Sequence, residues 1–337
     1  MKPVPLVLIF LVFASGCGTF GRPDDSGVDT SPGSKSVTTN PDQAKFITSD
    51  IDNFWRALDD ADTPDDYRTY RDEYLLQGSP GLREFSQLKI GGPRILAMKV
   101  RRYYGYYSSI RKETMSVGAQ FQTIREAYRH LKSIYPDAVF PSVYFVIGSM
   151  NSGGIAAQRG LEIGTELFSK GPSTPLNELN PWEQSAVQSI DRIPQVVAHE
   201  LIHFQQKLPR APETLLERSI AEGSADFLSE LIAGGYVNEL QHRYGEEHEH
   251  VLWLEFRNAM HGKDISQWLY NGAAVAARED SSGRPADLGY YVGYKICKAY
   301  YEKAPDKQKA TREILGIRDF DQFYRESGYG VALASGQ

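Results

Sequence analysis

The stretch Val196-Val197-Ala198-His199-Glu200-Leu201-Ile202-His203-Phe204 decides the reading of this chain, because it contains H-E-x-x-H. On a helix a step of four residues turns about 400°, so His199 and His203 leave one face one turn apart and can grip a single ion. Imidazole nitrogen is a good zinc ligand, and a third protein ligand must then come from another segment, leaving a fourth position for water. Upstream, Ser189 and Asp191 are candidate caps and Pro194 suits a first helical turn. Ile193, Val197, Leu201 and Leu208 form an apolar stripe, and His199 lies about 200° around from Val197, so the ligand face and the core face differ.

Eighteen residues after His203 comes Glu222, opening Glu222-Gly223-Ser224-Ala225-Asp226-Phe227. It lies in a helical pattern of Leu215, Leu216, Ile220, Phe227, Leu228, Leu231 and Ile232. The interval, with Pro209 and Pro212 in it, allows a turn that brings Glu222 opposite the two histidines. Asp226, four residues on, is then positioned to accept the free ring N–H of a ligand histidine, His199 for preference, which fixes its tautomer. Gly223 lets another backbone come close.

H-E-x-x-H, eighteen residues and then E-G-x-A resemble the gluzincin metallopeptidases of the aminopeptidase-like branch, and E-x-x-x-D is similar to the thermolysin branch. Over residues 46–330 the chain also resembles bacterial envelope lipoproteins grouped as zinc-dependent proteases and related to gliding-motility lipoproteins. The stretches Glu73 to Phe85, Tyr135 to Phe168, the two metal helices and Pro285 to Tyr301 carry that likeness. The resemblance implies one zinc held by His199, His203 and Glu222, with Glu200 as general base. It also implies a tyrosine donor for the oxyanion, roughly 60 to 70 residues past the glutamate ligand. Tyr290 is the choice in that window, with Tyr294 one turn later as its substitute. Aminopeptidases of this branch carry G-x-M-E-N, whose glutamate captures the substrate amine. The nearest match, Gly148-Ser149-Met150-Asn151, lacks that acid, so the resemblance does not imply exopeptidase activity and leaves endo- versus exo-cleavage open.

The chemistry also stands without the family. Zinc lowers the pKa of its bound water toward ~7, and a carboxylate next to the first ligand can take the proton as that water attacks a carbonyl. The expected function is a zinc-dependent peptidase; the contrary one is a non-catalytic zinc-binding scaffold of the envelope. Glu200 favours the enzyme, since holding zinc does not require it.

Before this centre, Met1 to Cys17 reads as a lipoprotein signal: Lys2, an apolar run from Val4 to Phe13, then Ala14-Ser15-Gly16-Cys17. Cys17 is the expected lipidation site, and Gly18 after it favours anchoring in the outer membrane, facing the periplasm, if the source has two membranes. With Cys17 acylated, Cys297 has no disulfide partner and reads as a buried small apolar residue. Residues 18–45, rich in Gly, Ser, Thr, Pro and Asp, read as a flexible tether.

Residues 46–135 read as a helical part and 136–330 as the catalytic part, in an α+β, mainly helical fold with a gluzincin-like core. Its small sheet, drawn from 140–148 and 154–168, precedes the histidine helix, and the resemblance to gluzincins implies that its edge strand pairs with the backbone of a peptide substrate. Lys99 to Arg102 with Tyr103, Tyr104, Tyr106 and Tyr107 read as a solvated amphipathic helix. His242 to His250 read as the polar start of a helix over 251–260 rather than a second metal site. Residues 272–287 read as a loop over the cleft. A net charge of −6 gives no general attraction for nucleic acid, and the partners expected are a peptide or protein substrate and the membrane.

Overall fold

The strands come first, because they form the floor on which the histidine-bearing helix lies. The computed structural model describes residues 37–277 and 283–335, so Cys17, the signal segment and most of the tether lie outside the described residues. Among the described residues there are six short strands: β1 (Val37–Thr38), β2 (Phe46–Ile47), β3 (Phe140–Pro141), β4 (Val143–Val146), β5 (Gly154–Ala156) and β6 (Leu161–Gly164). Four make one sheet in the order β2-β4-β6-β5, parallel except for the last pair. Every residue of β4 and β6 is buried, as a covered parallel pair requires, including one carboxyl, Glu162 of β6. β5 is an edge, and it runs beside the histidine helix.

The tether expectation is corrected at its C-terminal end. Val37–Thr38 pairs antiparallel with Phe140–Pro141, and Ala44 is buried. Arg125 donates to the carbonyls of Pro41, Asp42 and Ala44 at 3.1, 2.9 and 3.1 Å. Composition alone concealed this, because the hydrogen-bond donor sits about eighty residues away on the helix Phe121–Ile134.

That helix buries Ile124, Ala127, Tyr128 and Leu131, and Ser49–Asp60 buries Ile51, Phe54 and Trp55, each along the face its spacing marks. The tyrosines after Lys99 depart from the solvated reading. Tyr103, Tyr106 and Tyr107 are buried and Tyr104 alone of the four is exposed. Their hydroxyls donate to Glu183, to the Glu166 carbonyl and to the Gly148 carbonyl at 2.9, 2.6 and 2.8 Å, so each phenol is satisfied inside the core. One continuous cluster of buried side chains runs from Ala44 to Tyr329, so the parts before and after residue 135 share a core.

Three helices build the centre: the histidine helix Ile193–Gln205, the glutamate helix Leu215–Ala233 and the tyrosine helix Leu288–Lys303. Pro194 sits in the first turn of the histidine helix as expected, but neither Ser189 nor Asp191 caps it; the N-cap is Arg192, with no side-chain cap bond. The glutamate helix opens on a capping box, Thr214 and Glu217 satisfying each other's backbone N–H. It crosses the tyrosine helix at bare backbone. A Cβ on Gly223 would lie 2.1 Å from the Gly293 carbonyl carbon, and one on Gly293 would lie 1.6 Å from the Ser219 oxygen. Cys297 is buried beside this crossing, its thiol 3.8 Å from the Ile220 carbonyl.

Candidate metal centre

His199 and His203 project from one face of the histidine helix, and Glu222 meets them from the glutamate helix. His203 Nε2 lies 3.0 Å from His199 Nε2 and 3.1 Å from Glu222 Oε2, and His199 Nε2 lies 3.7 Å from that oxygen. Metal–ligand bonds of about 2.0–2.1 Å in tetrahedral directions put ligand atoms about 3.3 Å apart, so this triangle has the size of one face of a zinc tetrahedron. Among the described residues it is the one group of three such side chains whose ligand atoms converge this way.

The far side of each ring fixes its protons. His199 Nδ1 is 2.8 Å from Asp226 Oδ1, in a bent contact, and His203 Nδ1 is 3.0 Å from Gln206 Oε1. Gln206 cannot be turned the other way, since its Nε2 donates to the Ala221 carbonyl and to Ser224 Oγ at 2.7 and 2.9 Å. Both outer partners are acceptors, so both rings carry hydrogen on Nδ1 and direct an Nε2 lone pair inward. Two lone pairs and a carboxylate oxygen then face one another, an arrangement that repels itself unless a proton or a cation stands between them. The donor set fits zinc, being two neutral imidazoles and one carboxylate with partners holding the outer atoms.

Protonation tendencies carry the same message. Burial alone would push His199 down, but Asp226 and Glu222 outweigh it and hold the imidazole well above its ordinary value. Burial would likewise raise Glu222, yet His203 and His199 hold it well below the usual carboxylate range. Glu200 is the exception: burial raises its carboxyl, and the nearby histidines offset only part of that. It is 6% exposed, and its Oε2 has no hydrogen-bond partner.

Glu200 faces a cleft of about 870 Å³ that reaches from β5 to the start of the tyrosine helix, with Gly154, His199, Glu222, Tyr270 and Tyr290 in its walls. A volume of that order accommodates a few residues of peptide. Tyr290 stacks near His199, ring centroids 6.3 Å apart, and lines the cleft. Tyr294 does not serve as its substitute: its hydroxyl donates to Glu230 at 2.5 Å and its ring packs on His242, away from the cleft. The segment expected as a loop opens instead with a short helix, Gly272–Ala276, whose first residue packs against Trp182 of the cleft wall, and residues 278–282 lie outside the described residues.

Two residues escaped the sequence reading. Gln206 stands three positions after His203 on the same helix face, a spacing that could have disclosed it. Tyr270 had no such signal. Its hydroxyl donates to Glu222 Oε1 at 2.7 Å, opposite the oxygen that faces the histidines. It lies in a loop with φ of 56°, a strained backbone conformation that persists only where surroundings enforce it. The enforcement comes from the next residue: Asn271 and Asp287 exchange backbone-to-side-chain hydrogen bonds of 3.0 and 2.8 Å, tying Tyr270 to the head of the tyrosine helix. Burial raises the Asp287 carboxyl to about 6.

The histidine-rich segment 242–250 lies within one kinked helix, Glu239–Ala259, and contributes nothing to the converging group. His242 is not solvated but buried at 1% exposure, stacked face to face on Tyr236.

Fold and site together define a mainly helical α+β protein with a two-histidine, one-glutamate centre on crossing helices. The chain belongs to the gliding motility protein GldB family, whose lipoprotein profile it matches over residues 42–331. No curated protein and no solved structure matches the chain. Membership makes this a protein of a cell-envelope lipoprotein family. Among the described residues no helix is long and apolar enough to cross a membrane.

Proposed function

We propose that this chain is a zinc-dependent peptidase of the gluzincin kind, held at the envelope through acylated Cys17, in the outer membrane facing the periplasm where two membranes exist. His199, His203 and Glu222 hold one zinc, and Asp226 and Gln206 keep the rings in the tautomer that binds it. The observation that carries the reading is the convergence of two tautomer-fixed imidazole lone pairs and one carboxylate oxygen beside a cleft that Glu200 enters.

Zinc in such a site lowers the pKa of a bound water and polarises a substrate carbonyl. Glu200, desolvated and one residue from the first ligand, takes the proton of the attacking water and hands it to the leaving amine. Tyr290, in the cleft wall beside His199, donates to the oxyanion. The backbone of β5 offers an unpaired edge next to Glu200, which suits an extended peptide adding as a further strand.

Incubating the full chain and its Glu200→Gln variant with a mixed peptide library tests this. Cleavage by the parent alone is expected; equal cleavage by both would remove Glu200 from the chemistry. A second reading, a zinc-binding scaffold without catalysis, draws on the family description, which names motility and no reaction. It predicts zinc in both proteins and cleavage by neither.

A further inference from the structure

Asn238 stands at the N-cap of the helix Glu239–Ala259, yet its side chain caps no backbone N–H there. Asparagine is among the best capping residues, so the side chain forgoes a stabilising local bond. Its amide is used elsewhere: Nδ2 donates to Asp226 Oδ2 at 2.8 Å. The other oxygen of Asp226 is the one 2.8 Å from His199 Nδ1. Asp226 is 2% exposed, and a buried carboxylate needs a donor on each oxygen to hold one orientation.

His242 approaches the same oxygen, its Nε2 3.9 Å from Oδ2, beyond hydrogen-bond reach. Burial pushes that imidazole below its ordinary value, and neither ring nitrogen has a hydrogen-bond partner. It therefore packs against Asp226 without satisfying it. Asn238 also lines the cleft, between Val237 and Glu239.

We propose that Asn238 is a positioning residue of the metal centre, orienting Asp226 so that His199 keeps its hydrogen on Nδ1 and its Nε2 lone pair toward the ion. The inference rests on the zinc reading and extends the support of His199 to a third layer drawn from the cleft wall. Partners outside the ligand shell commonly change metal affinity about 10- to 100-fold when lost, and Asn238 acts at the lower end of that range because it works through Asp226.

The decisive variant is Asn238→Asp. It preserves volume and remains a good N-cap residue, but it replaces the donor with a carboxylate oxygen aimed at Asp226. Zinc affinity of the full chain, measured by competition with a chromophoric chelator, is expected to fall about tenfold or more in Asn238→Asp and about tenfold in Asn238→Ala. The metal-free Asn238→Ala protein is expected to melt within a few degrees of the parent, whereas Asn238→Asp, which sets a second carboxylate against buried Asp226, melts below it. Parent-like zinc affinity in both variants would overturn the inference while leaving the zinc reading intact. So would a loss of affinity in Asn238→Ala that only tracks a large drop in its metal-free melting temperature, which would mark a merely structural role. A parent that binds no zinc would contradict the zinc reading, and this inference with it.

Discussion

Gly154 and Glu200 stand so close that a Cβ on Gly154 would lie 2.8 Å from Glu200 Cγ. The edge strand and Glu200, the proposed general base, thus leave no room for a side chain between them, and a methyl group there must push the carboxylate aside. Gly154→Ala is expected to lower peptide cleavage about 100-fold, the effect of a misplacement near 1 Å, while zinc content stays at the parent value. Cleavage assays paired with metal analysis check both halves.

The two cleft tyrosines separate by role. Tyr270→Phe removes the donor to Glu222 Oε1, so zinc affinity is expected to fall about tenfold. Tyr290→Phe leaves the ligand shell untouched and is expected to lower kcat about 100- to 1,000-fold, with zinc affinity unchanged. Chelator competition and steady-state kinetics on the two variants distinguish these patterns.

Helix crossing without side chains makes stability hinge on two glycines. Gly293→Ala would drive a methyl into the Ser219 carbonyl, and Gly223→Ala into the Gly293 backbone. Overpacking of this kind costs about 1–3 kcal/mol or more, and in a chain of this size each 1 kcal/mol lowers Tm by roughly 1.5 °C. Calorimetry should show both variants melting below the parent, Gly293→Ala the lower of the two.

Glu162, opposite Ile155 on the strand that pairs with β5, supplies a pH signature in stability. Burial, with the Glu84 carboxylate beside it, pushes its carboxyl up to about 10, and neither oxygen finds a donor. Between pH 4.5, its ordinary value, and about 10 the folded state therefore holds a proton that the unfolded state has released. Stability from this group is fully present below that window and falls as pH rises through it. Glu162→Gln keeps a donor toward Glu84 and cannot ionise, so it is expected to raise Tm at pH 8 and to leave it nearly unchanged at pH 4. Thermal melts at the two pH values check the difference.

How much of this was legible before the structure follows from the range of each interaction. His199, His203, Glu222 and Asp226 were readable because a helix repeats its faces every turn, so spacing alone places side chains. The covered strands β4 and β6 were readable from composition. Tyr270 was not, because a loop has no period and its placement depends on the Asn271–Asp287 exchange sixteen residues apart. The docked stretch Val37 to Ala44 was hidden for a related reason: its composition resembles a tether, and the side chain that binds its carbonyls, Arg125, belongs to a distant helix. Tyr103, Tyr106 and Tyr107 misled because basic neighbours suggested solvent, whereas their hydroxyls reach acceptors from three other segments.

The central claim is that His199, His203 and Glu222 hold one zinc ion. Its most direct test is zinc per chain, by elemental mass spectrometry, for the full-length protein and its His203→Ala and Glu200→Gln variants. About one zinc in the parent and in Glu200→Gln, with loss from His203→Ala, is the predicted result; a parent purified with zinc in the buffer yet carrying none would contradict it.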